Sequence, residues 1–134
     1  MRILADTNVF LEILLDQARA GEARALLAQV RNHEFFLSDY ALHSIGVLLF
    51  RRKQPLTFRA FLQDVIVGGA ATVVSLSTDD MEAVIDAARR FNFDFDDAYQ
   101  YVTAEKFGLR IVTYDSDFDR VPDIRLLPKD LPEA

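Results

Sequence analysis

Four short runs of apolar and β-branched residues stand out along the chain, and a weaker fifth follows them. Each run is continuous rather than alternating with polar positions, which is typical of a strand buried on both faces of a parallel sheet. The runs are RILA at 2–5, EFFLS at 34–38, TVVSL at 72–76, LRIVTY at 109–114 and the weaker IRLL at 124–127. The pattern therefore predicts about five parallel strands.

The segments between these runs carry apolar residues at helical spacing. Helices are predicted at 9–15, 18–32, 40–52, 58–67, 81–91 and 97–108, with Gly21 a weak point in the second. Strands that alternate with helices form a parallel sheet covered on both faces. We therefore predict an α/β fold: a single three-layer α/β/α domain over residues 1–134, with a central parallel sheet of about five strands. Residues 128–134 are predicted to be a loose C-terminal tail.

Short polar signals mark several predicted helix ends. Ser77-Thr78-Asp79-Asp80 resembles a capping box before the helix at 81–91. Gly108 is a predicted C-cap of the helix at 97–108, and either Ser38 or Asp39 is the predicted N-cap of the helix at 40–52.

Composition narrows the class of protein. The chain is 51% hydrophobic and 27% charged, as in ordinary globular proteins. It contains no cysteine, which excludes disulfides, thiolate zinc sites and thiol catalysis. The first residues, MRILADTNVF, do not have the pattern of a signal peptide, and no apolar run has the length of a membrane span. We therefore expect a cytoplasmic protein with no membrane contact.

The formal net charge of −6 argues against binding nucleic acid mainly through charge neutralisation. It leaves open an enzyme whose acidic pocket holds a cation and whose substrate is bound by a few local basic residues. The runs 51–53 (RRK) and 89–90 (RR) are candidates for such contacts, although each is also explained as a solvated helix end.

Aspartates follow the predicted strands. Asp6 ends the first strand, Asp39 follows the second, Asp115, Asp117 and Asp119 follow the fourth, and Asp96 and Asp97 open the helix that leads into the fourth. Ligands of parallel α/β folds bind beyond the carboxyl ends of the strands, so three segments bring carboxylates toward one edge of the sheet. Taken alone, Asp6, Asp39, Asp96 and Asp97 can each be a helix N-cap, and the DSDFD run can be a solvated turn or half of a calcium loop. The DSDFD run lacks the glycine and terminal glutamate of an EF-hand.

Carboxylates that converge on one place repel each other, and this repulsion must be relieved. Two of them 4 Å apart repel by about 4 kcal/mol at an effective dielectric constant near 20. Protonation or a bound cation relieves this repulsion. All-oxygen ligand sets favour Mg²⁺ or Mn²⁺, ions that commonly serve phosphate-ester chemistry.

Two segments, ILADTNVFLEILL at 3–15 and FDDAYQYVTAEKFGLRIVTYDSDFD at 95–119, resemble the PIN domain family, and the α/β order between them agrees. The chain is most similar to small prokaryotic PIN proteins, many of which are VapC-type toxins. The resemblance implies an Mg²⁺- or Mn²⁺-dependent ribonuclease whose acidic residues gather at one end of a parallel sheet. It also implies an RNA substrate, a small antitoxin protein as a possible partner and a possible homodimer.

Carried over by position, the resemblance assigns roles to individual residues. The catalytic and metal-binding acids are Asp6, Asp97 and Asp115, with Asp117 as a further metal ligand, and the supporting residues are Asn8, Thr113, Ser44 and His43. Asp96 is interpreted mainly as a helix cap.

The chain departs from the family pattern at one position. The family usually has a glutamate six residues after a serine that ends the second strand, and counting from Ser38 places Ser44 there. His43 is adjacent and four residues from Asp39, so the two can pair on a helix, but a lone histidine is more often structural. Asp39 could instead turn inward as a substitute ligand.

Two other functions remain as alternatives. The missing glutamate favours a PIN-fold protein with weakened or lost nuclease activity that acts as a binding or regulatory module. A phosphoacceptor receiver domain is also a five-stranded α/β unit with clustered aspartates. It requires an acidic pair after the first strand, where this chain has only Asp6 in ADTN, and a lysine in a setting that Lys129 does not match.

Overall fold

A computed structural model describes residues 1–29 and 31–131 of the chain. The strands are β1 (Arg2–Ala5), β2 (Glu34–Ser38), β3 (Ala71–Val74), β4 (Arg110–Val112) and β5 (Arg125–Leu126). The helices are α1 (Thr7–Leu14), α2 (Ala20–Leu27), α3 (Asp39–Arg51), α4 (Pro55–Phe61), α5 (Met81–Phe91) and α6 (Phe95–Phe107). Residues Leu62–Val67 continue α4 as a π-helical segment, and 3₁₀ turns cover Thr78–Asp80, Ser116–Arg120 and Pro128–Asp130.

The five strands form one parallel sheet in the order β3-β2-β1-β4-β5. In the central pair, Leu4 of β1 lies opposite Ile111 of β4. The chain builds the sheet outward from β1 to β3 and then returns to the other side of β1 with β4. The direction of building therefore reverses between β1 and β4, and a parallel sheet opens a crevice at such a point.

Alternating side chains of the strands divide the core into two layers. Ile3 and Ala5 of β1 belong to one buried cluster, which also contains Phe10 of α1 and Leu49 of α3. Leu4, between them, belongs to a second cluster. That cluster includes residues of α5 and α6, so the sheet is covered on both faces and the predicted three-layer α/β/α fold is confirmed.

Several predicted bounds agree with the structure, and others are corrected. The strand at 34–38 and the helix at 81–91 are found as predicted, Ser38 is the N-cap of α3, and the Ser77–Asp80 capping box forms. Gly108 ends α6 with a φ of 65°, a left-handed conformation that glycine adopts without strain. The helix predicted at 58–67 begins at Pro55, because proline is favourable in a first helical turn, and becomes π-helical after Phe61.

The start of α6 is the main local correction. The helix begins at Phe95, two residues before the predicted start, because the side chain of Asp94 accepts a hydrogen bond from the backbone N–H of Asp97 at 2.9 Å. Asp94 is therefore the N-cap, and the interpretation of Asp96 as the cap is wrong. Asp96 lies in the first turn of the helix.

The expected loose tail is only partly described. Residues 128–131 pack against the protein: Pro128 is buried, and Leu131 belongs to the first core cluster with 6% of its surface exposed. A loose tail is therefore wrong for these four residues, and 132–134 lie outside the described residues. Among the described helices, none combines the length and apolar character that crossing a lipid bilayer requires.

Candidate active site

A cleft lies at the carboxyl ends of β1 and β4, where the direction of sheet building reverses. This acidic cleft has a volume of about 240 Å³ and is lined by Asp6, Thr7, Asn8, Leu11, Tyr40, Ser44, Asp96, Asp97, Gln100 and Asp115. Its lining includes five of the eight predicted site residues, and its four carboxylates come from three separate segments of the chain. The sheet order therefore brings together the segments that the sequence pattern singled out.

Asp6 is held rigidly where β1 becomes α1. One carboxylate oxygen, Oδ1, accepts hydrogen bonds from the backbone N–H of Thr7 and from Nε2 of Gln100, both at 2.8 Å. The other oxygen, Oδ2, accepts from the hydroxyl of Thr113 at 2.8 Å. Burial raises the pKa of Asp6 above its ordinary value, and the hydrogen bonds from Gln100 and Thr113 oppose the rise. Asp6 is thus both the N-cap of α1 and an oriented carboxylate of the cleft.

Thr113 joins three parts of the site. Besides donating to Asp6, its fully buried hydroxyl accepts a hydrogen bond from Nδ2 of Asn8 at 2.9 Å and another from the backbone N–H of Asp115 at 3.0 Å. Asn8 also accepts from the backbone N–H of Tyr114 at 3.1 Å. These contacts fasten the loop after β4 to the start of α1 and fix where Asp115 leaves the sheet.

Three carboxylates converge at the mouth of the cleft. Asp97, Asp115 and Asp117, which we call the acid cluster, each offer an oxygen within 4.8 Å of the others. Asp115 also caps the 3₁₀ turn that follows it, because its Oδ1 accepts from the backbone N–H of Asp117 at 2.9 Å. One short turn therefore supplies two members of the acid cluster, and the first turn of α6 supplies the third.

The acid cluster is electrostatically strained. Asp97 is only 7% exposed. Burial raises its pKa to about 8, and neighbouring carboxylates, Asp115 first among them, add to the rise. Close carboxylates of this kind need either a proton or a cation between them.

The donor set fits a hard divalent cation. All the converging donors are carboxylate oxygens, the ligands that such ions prefer. In addition, Oε1 of Gln100 is buried and has no hydrogen-bond partner among the described residues. A buried amide oxygen of this kind is normally satisfied by a donor such as an ordered water.

Ser44 lies on the cleft wall, as the count from Ser38 predicts. Tyr40 lies on the same wall, and its hydroxyl donates a hydrogen bond to Oδ1 of Asp96. The hydrogen bond to Asp96 raises the pKa of Tyr40 to about 12, which keeps the phenol protonated. The wall that α3 contributes is therefore neutral, whereas the walls from β1, α6 and the turn after β4 are acidic.

His43, although adjacent to Ser44, does not line the acidic cleft. Its side chain belongs to an apolar groove that also includes Leu42, Val47 and Phe50. Successive residues of an α-helix point about 100° apart, so only one of these two neighbours can face the cleft. The structure thus does not bring His43 together with the other predicted site residues.

Two of the other aspartates have partners away from the acid cluster. Oδ1 of Asp39 accepts hydrogen bonds from the hydroxyl of Tyr99 at 2.7 Å and from the backbone N–H of Tyr40 at 2.9 Å. Asp119 forms a two-pronged ion pair with Arg125 at 2.8 and 3.0 Å. Neither carboxylate takes the place of the missing glutamate.

The basic runs considered as substrate contacts lie at other helix ends. Residues 51–53 follow or end α3, and residues 89–90 lie in the last turn of α5. In the part of the chain that the structure describes, neither run lines the acidic cleft.

Gln100 and Tyr40 are cleft residues that the sequence did not single out. Gln100 is 3% exposed and lies one helical turn after Asp97. An amide at a buried position of a helix needs a polar partner, and this requirement is the one signal that could have drawn attention to Gln100. Its partner, Asp6, is 94 residues away, so the signal could not say which site.

The sequence of the chain matches a known protein family. The model of the family described as "PIN domain" matches residues 3–124 of the chain. No curated protein matches it by sequence.

Solved structures share the fold at low sequence identity. The crystal structure of VapC20 from Mycobacterium tuberculosis, described as a sarcin-ricin loop cleaving toxin, matches with a TM-score of 0.78 at 22% identity, covering 94% of this chain and 99% of that one. VapBC2 from Rickettsia felis, bound to a DNA fragment from its promoter, matches with a TM-score of 0.77 at 14% identity over 95% and 98% of the chains. A toxin-antitoxin complex from Klebsiella pneumoniae matches with a TM-score of 0.74 at 21% identity over 96% and 99%.

Proposed function

Because this chain belongs to the PIN domain family, we propose that it is an Mg²⁺- or Mn²⁺-dependent endoribonuclease that hydrolyses RNA phosphodiester bonds in the acidic cleft. We further propose that it is the toxin of a toxin–antitoxin pair. The observation that carries the proposal is the acid cluster: three carboxylates converge at the point of the sheet where ligands bind in parallel α/β folds.

Each residue of the cleft has a distinct role in this proposal. Asp97, Asp115 and Asp117 hold the cation, and Asp6 faces it from the end of β1. Thr113 and Gln100 orient the Asp6 carboxylate through hydrogen bonds of 2.8 Å, so that no reorganisation is needed when the substrate binds. Asn8 positions Thr113 in turn.

In the proposed reaction the cation activates the water and the protein carboxylates hold the cation. When bound, Mg²⁺ or Mn²⁺ lowers the pKa of an attacking water and stabilises the charge that develops on the phosphate. The Asp97 carboxyl must give up its proton for the cation to bind, since a metal ligand is deprotonated. Histidine catalysis has no part in this scheme, and His43 lies outside the cleft.

A cleavage assay tests the proposal. We expect the wild-type protein to cleave RNA with Mn²⁺ or Mg²⁺ present and to stop when EDTA is added. Asp115→Asn should lower the rate about 100-fold or more, because it removes a carboxylate that the cation needs. The substrates are a single-stranded oligonucleotide and a sarcin–ricin stem-loop, the RNA element that the similar VapC20 cleaves.

The matched control is Asp86→Asn, which removes an exposed carboxylate of α5 that lines neither the acidic cleft nor the pocket beside it. It should cleave like the wild type. Equal cleavage by wild type and Asp115→Asn, or cleavage that is indifferent to EDTA, would contradict a metal-dependent site at the acid cluster.

A second candidate function rests on Ser44. Its neutral side chain lies on the cleft wall where family members usually have glutamate, which favours a PIN-fold protein of weakened activity that binds or regulates. The acid cluster favours the nuclease, because Mg²⁺ sites often use few protein carboxylates together with water.

Restoring the acid separates the two candidates. Ser44→Glu is expected to tighten Mn²⁺ binding about tenfold, because it adds a carboxylate to the one neutral wall of the cleft. Titration calorimetry measures the affinity, and Ser44→Gln is the control of equal size without charge. Identical Mn²⁺ affinities of Ser44→Glu and Ser44→Gln would rule out Ser44 as the position of a missing ligand.

An antitoxin protein is the proposed partner. Support comes from the similar structures, two of which are a toxin-antitoxin complex and VapBC2. A homodimer stays a prediction.

A further inference from the structure

A second pocket lies directly beside the acidic cleft. This basic pocket has a volume of about 290 Å³ and is lined by Arg19, Glu22, Tyr114, Ser116, Arg125, Leu127 and Lys129. Tyr114 and Ser116 are the chain neighbours of Asp115, which lines the acidic cleft. Consecutive Cα atoms are about 3.8 Å apart, so the two pockets share a wall only one residue thick.

The sheet order explains why the two pockets adjoin. The acidic cleft lies at the carboxyl ends of β1 and β4. Tyr114 follows β4 and Leu127 follows β5, and these two strands are paired neighbours in the sheet. The basic pocket therefore continues the same edge of the sheet by one strand, and a ligand lying along this edge meets the two pockets in turn.

The charge of the basic pocket is opposite to that of the chain as a whole. Two arginines and a lysine line it against a single carboxylate, Glu22, in a protein of net charge −6. Asp119 pairs with Arg125 at its rim. The described structure contains no ion pair of Arg19 or Lys129. The three cations of the lining thus exceed Glu22 and Asp119 by one positive charge beside the acid cluster, although Asp115 and Asp130 also act on Arg125.

Contacts hold this excess charge in place. The guanidinium of Arg19 lies over the ring of Tyr114, 4.5 Å from its centroid. The Tyr114 hydroxyl in turn bonds to Oε2 of Glu22 at 3.2 Å. Stacking fixes the plane of a guanidinium and leaves its N–H groups available for an anion. Arg19 is therefore preorganised at the pocket wall.

We propose that the basic pocket binds a backbone phosphate of the RNA strand, next to the phosphate that is cleaved in the acidic cleft. This inference rests on the proposed nuclease function and adds a substrate-binding subsite to it. The acid cluster repels a polyanion until a cation binds, and the basic pocket supplies the attraction that keeps the strand on the sheet edge. Recognition of a phosphate is independent of base identity, so the subsite sets position and affinity rather than sequence preference.

Binding measurements test the subsite apart from cleavage. Fluorescence anisotropy of a labelled single-stranded RNA oligonucleotide is followed in a parent protein carrying Asp97→Asn. This substitution removes one of the repelling carboxylates of the acid cluster and keeps the RNA intact, so the measurement needs no bound cation. Adding Lys129→Gln or Arg19→Gln should raise the Kd about 5- to 10-fold. Each should also reduce the slope of log K against log salt by about 0.7, the value for one phosphate contact of a single strand.

Matched controls remove the same charge elsewhere. Lys53→Gln and Arg89→Gln, at the ends of α3 and α5, should leave the Kd and the salt slope unchanged. In the cleavage-competent protein, Lys129→Gln should raise KM and leave kcat close to its original value.

The outcomes distinguish this subsite from the nuclease proposal. RNA binding that Lys129→Gln weakens, in a protein that never cleaves RNA, supports the subsite and overturns the nuclease. Equal binding by Lys129→Gln and Lys53→Gln, or no RNA binding by the parent, overturns the subsite. Lys129-dependent binding of poly-glutamate without binding of RNA would assign the pocket to an acidic protein partner and also overturn it.

Discussion

Asp97→Asn is expected to stabilise the metal-free protein by several kcal/mol at pH 8 while destroying a cation ligand. The Asp97 carboxyl has a pKa of 3.8 as a free group and about 8 in the folded protein, because it is buried beside other carboxylates. Between these two values the folded protein holds a proton that the unfolded chain has released. The free energy of unfolding therefore falls as the pH rises through this range, by up to about 1.4 kcal/mol per pH unit, and levels off above pH 8. Asparagine does not titrate, so the free energy of unfolding of the variant does not fall in this way as the pH rises.

Urea unfolding in EDTA at several pH values between 5 and 8 measures the effect. The control is Asp86→Asn, an exposed position on α5, which should follow the wild type. Added Mn²⁺ should reverse the order of stability at pH 8, since a ligand of the folded state stabilises only the protein that binds it. Parallel pH profiles for wild type and Asp97→Asn would show that Asp97 is not the strained group.

Thr113→Val is expected to destabilise the protein by about 2–4 kcal/mol, although the side chain keeps its shape. The fully buried hydroxyl serves Asp6, Asn8 and the backbone N–H of Asp115 at once. Valine removes the Thr113 partner of Oδ2 of Asp6, Nδ2 of Asn8 and the backbone N–H of Asp115, and the first of these atoms belongs to a buried carboxylate. We also expect cleavage to fall about tenfold or more, because Asp6 and Asp115 lose their common anchor.

Thr103→Val provides the comparison for this prediction. Thr103 is equally buried, but its hydroxyl donates only to the carbonyl of Tyr99 one helical turn earlier. That carbonyl lies within α6, where the helix already offers it a backbone partner, so the loss should stay below about 1 kcal/mol. Thermal and urea unfolding measure both variants. Similar losses at the two positions would mean that the hydrogen-bond network of the cleft contributes nothing special to stability.

The fold was predictable because parallel strands are buried on both faces. A strand such as 34–38 then consists of consecutive apolar residues, a pattern that does not depend on its neighbours in space. The start of α6 was harder to predict. Its sequence FDFDDA offers Asp94, Asp96 and Asp97, all able to cap, and only the backbone geometry selects Asp94.

The basic residues beside the cleft could not be predicted from local sequence. Runs of basic residues at 51–53 and 89–90 attract attention in the sequence but lie at other helix ends. Arg19, Arg125 and Lys129 are each isolated along the chain and become neighbours only because β5 pairs with β4 beside the start of α2. A tertiary arrangement of this kind leaves no periodic pattern to detect.

The pairing of β1 with β4 also governs when the protein becomes functional during folding. Asp6 and Thr113, which share a hydrogen bond across this pair, are 107 residues apart. Closing a loop of that length costs of the order of 4 kcal/mol in chain entropy before any contact is gained, and such distant pairings form slowly. Any stretch of chain that lacks β4 also lacks the cleft. A growing chain therefore has no acidic cleft until residue 115 has been added and the central strand pair has closed. For a protein proposed to be a toxin, the strand order itself delays assembly of the proposed active site until β4 has been synthesised.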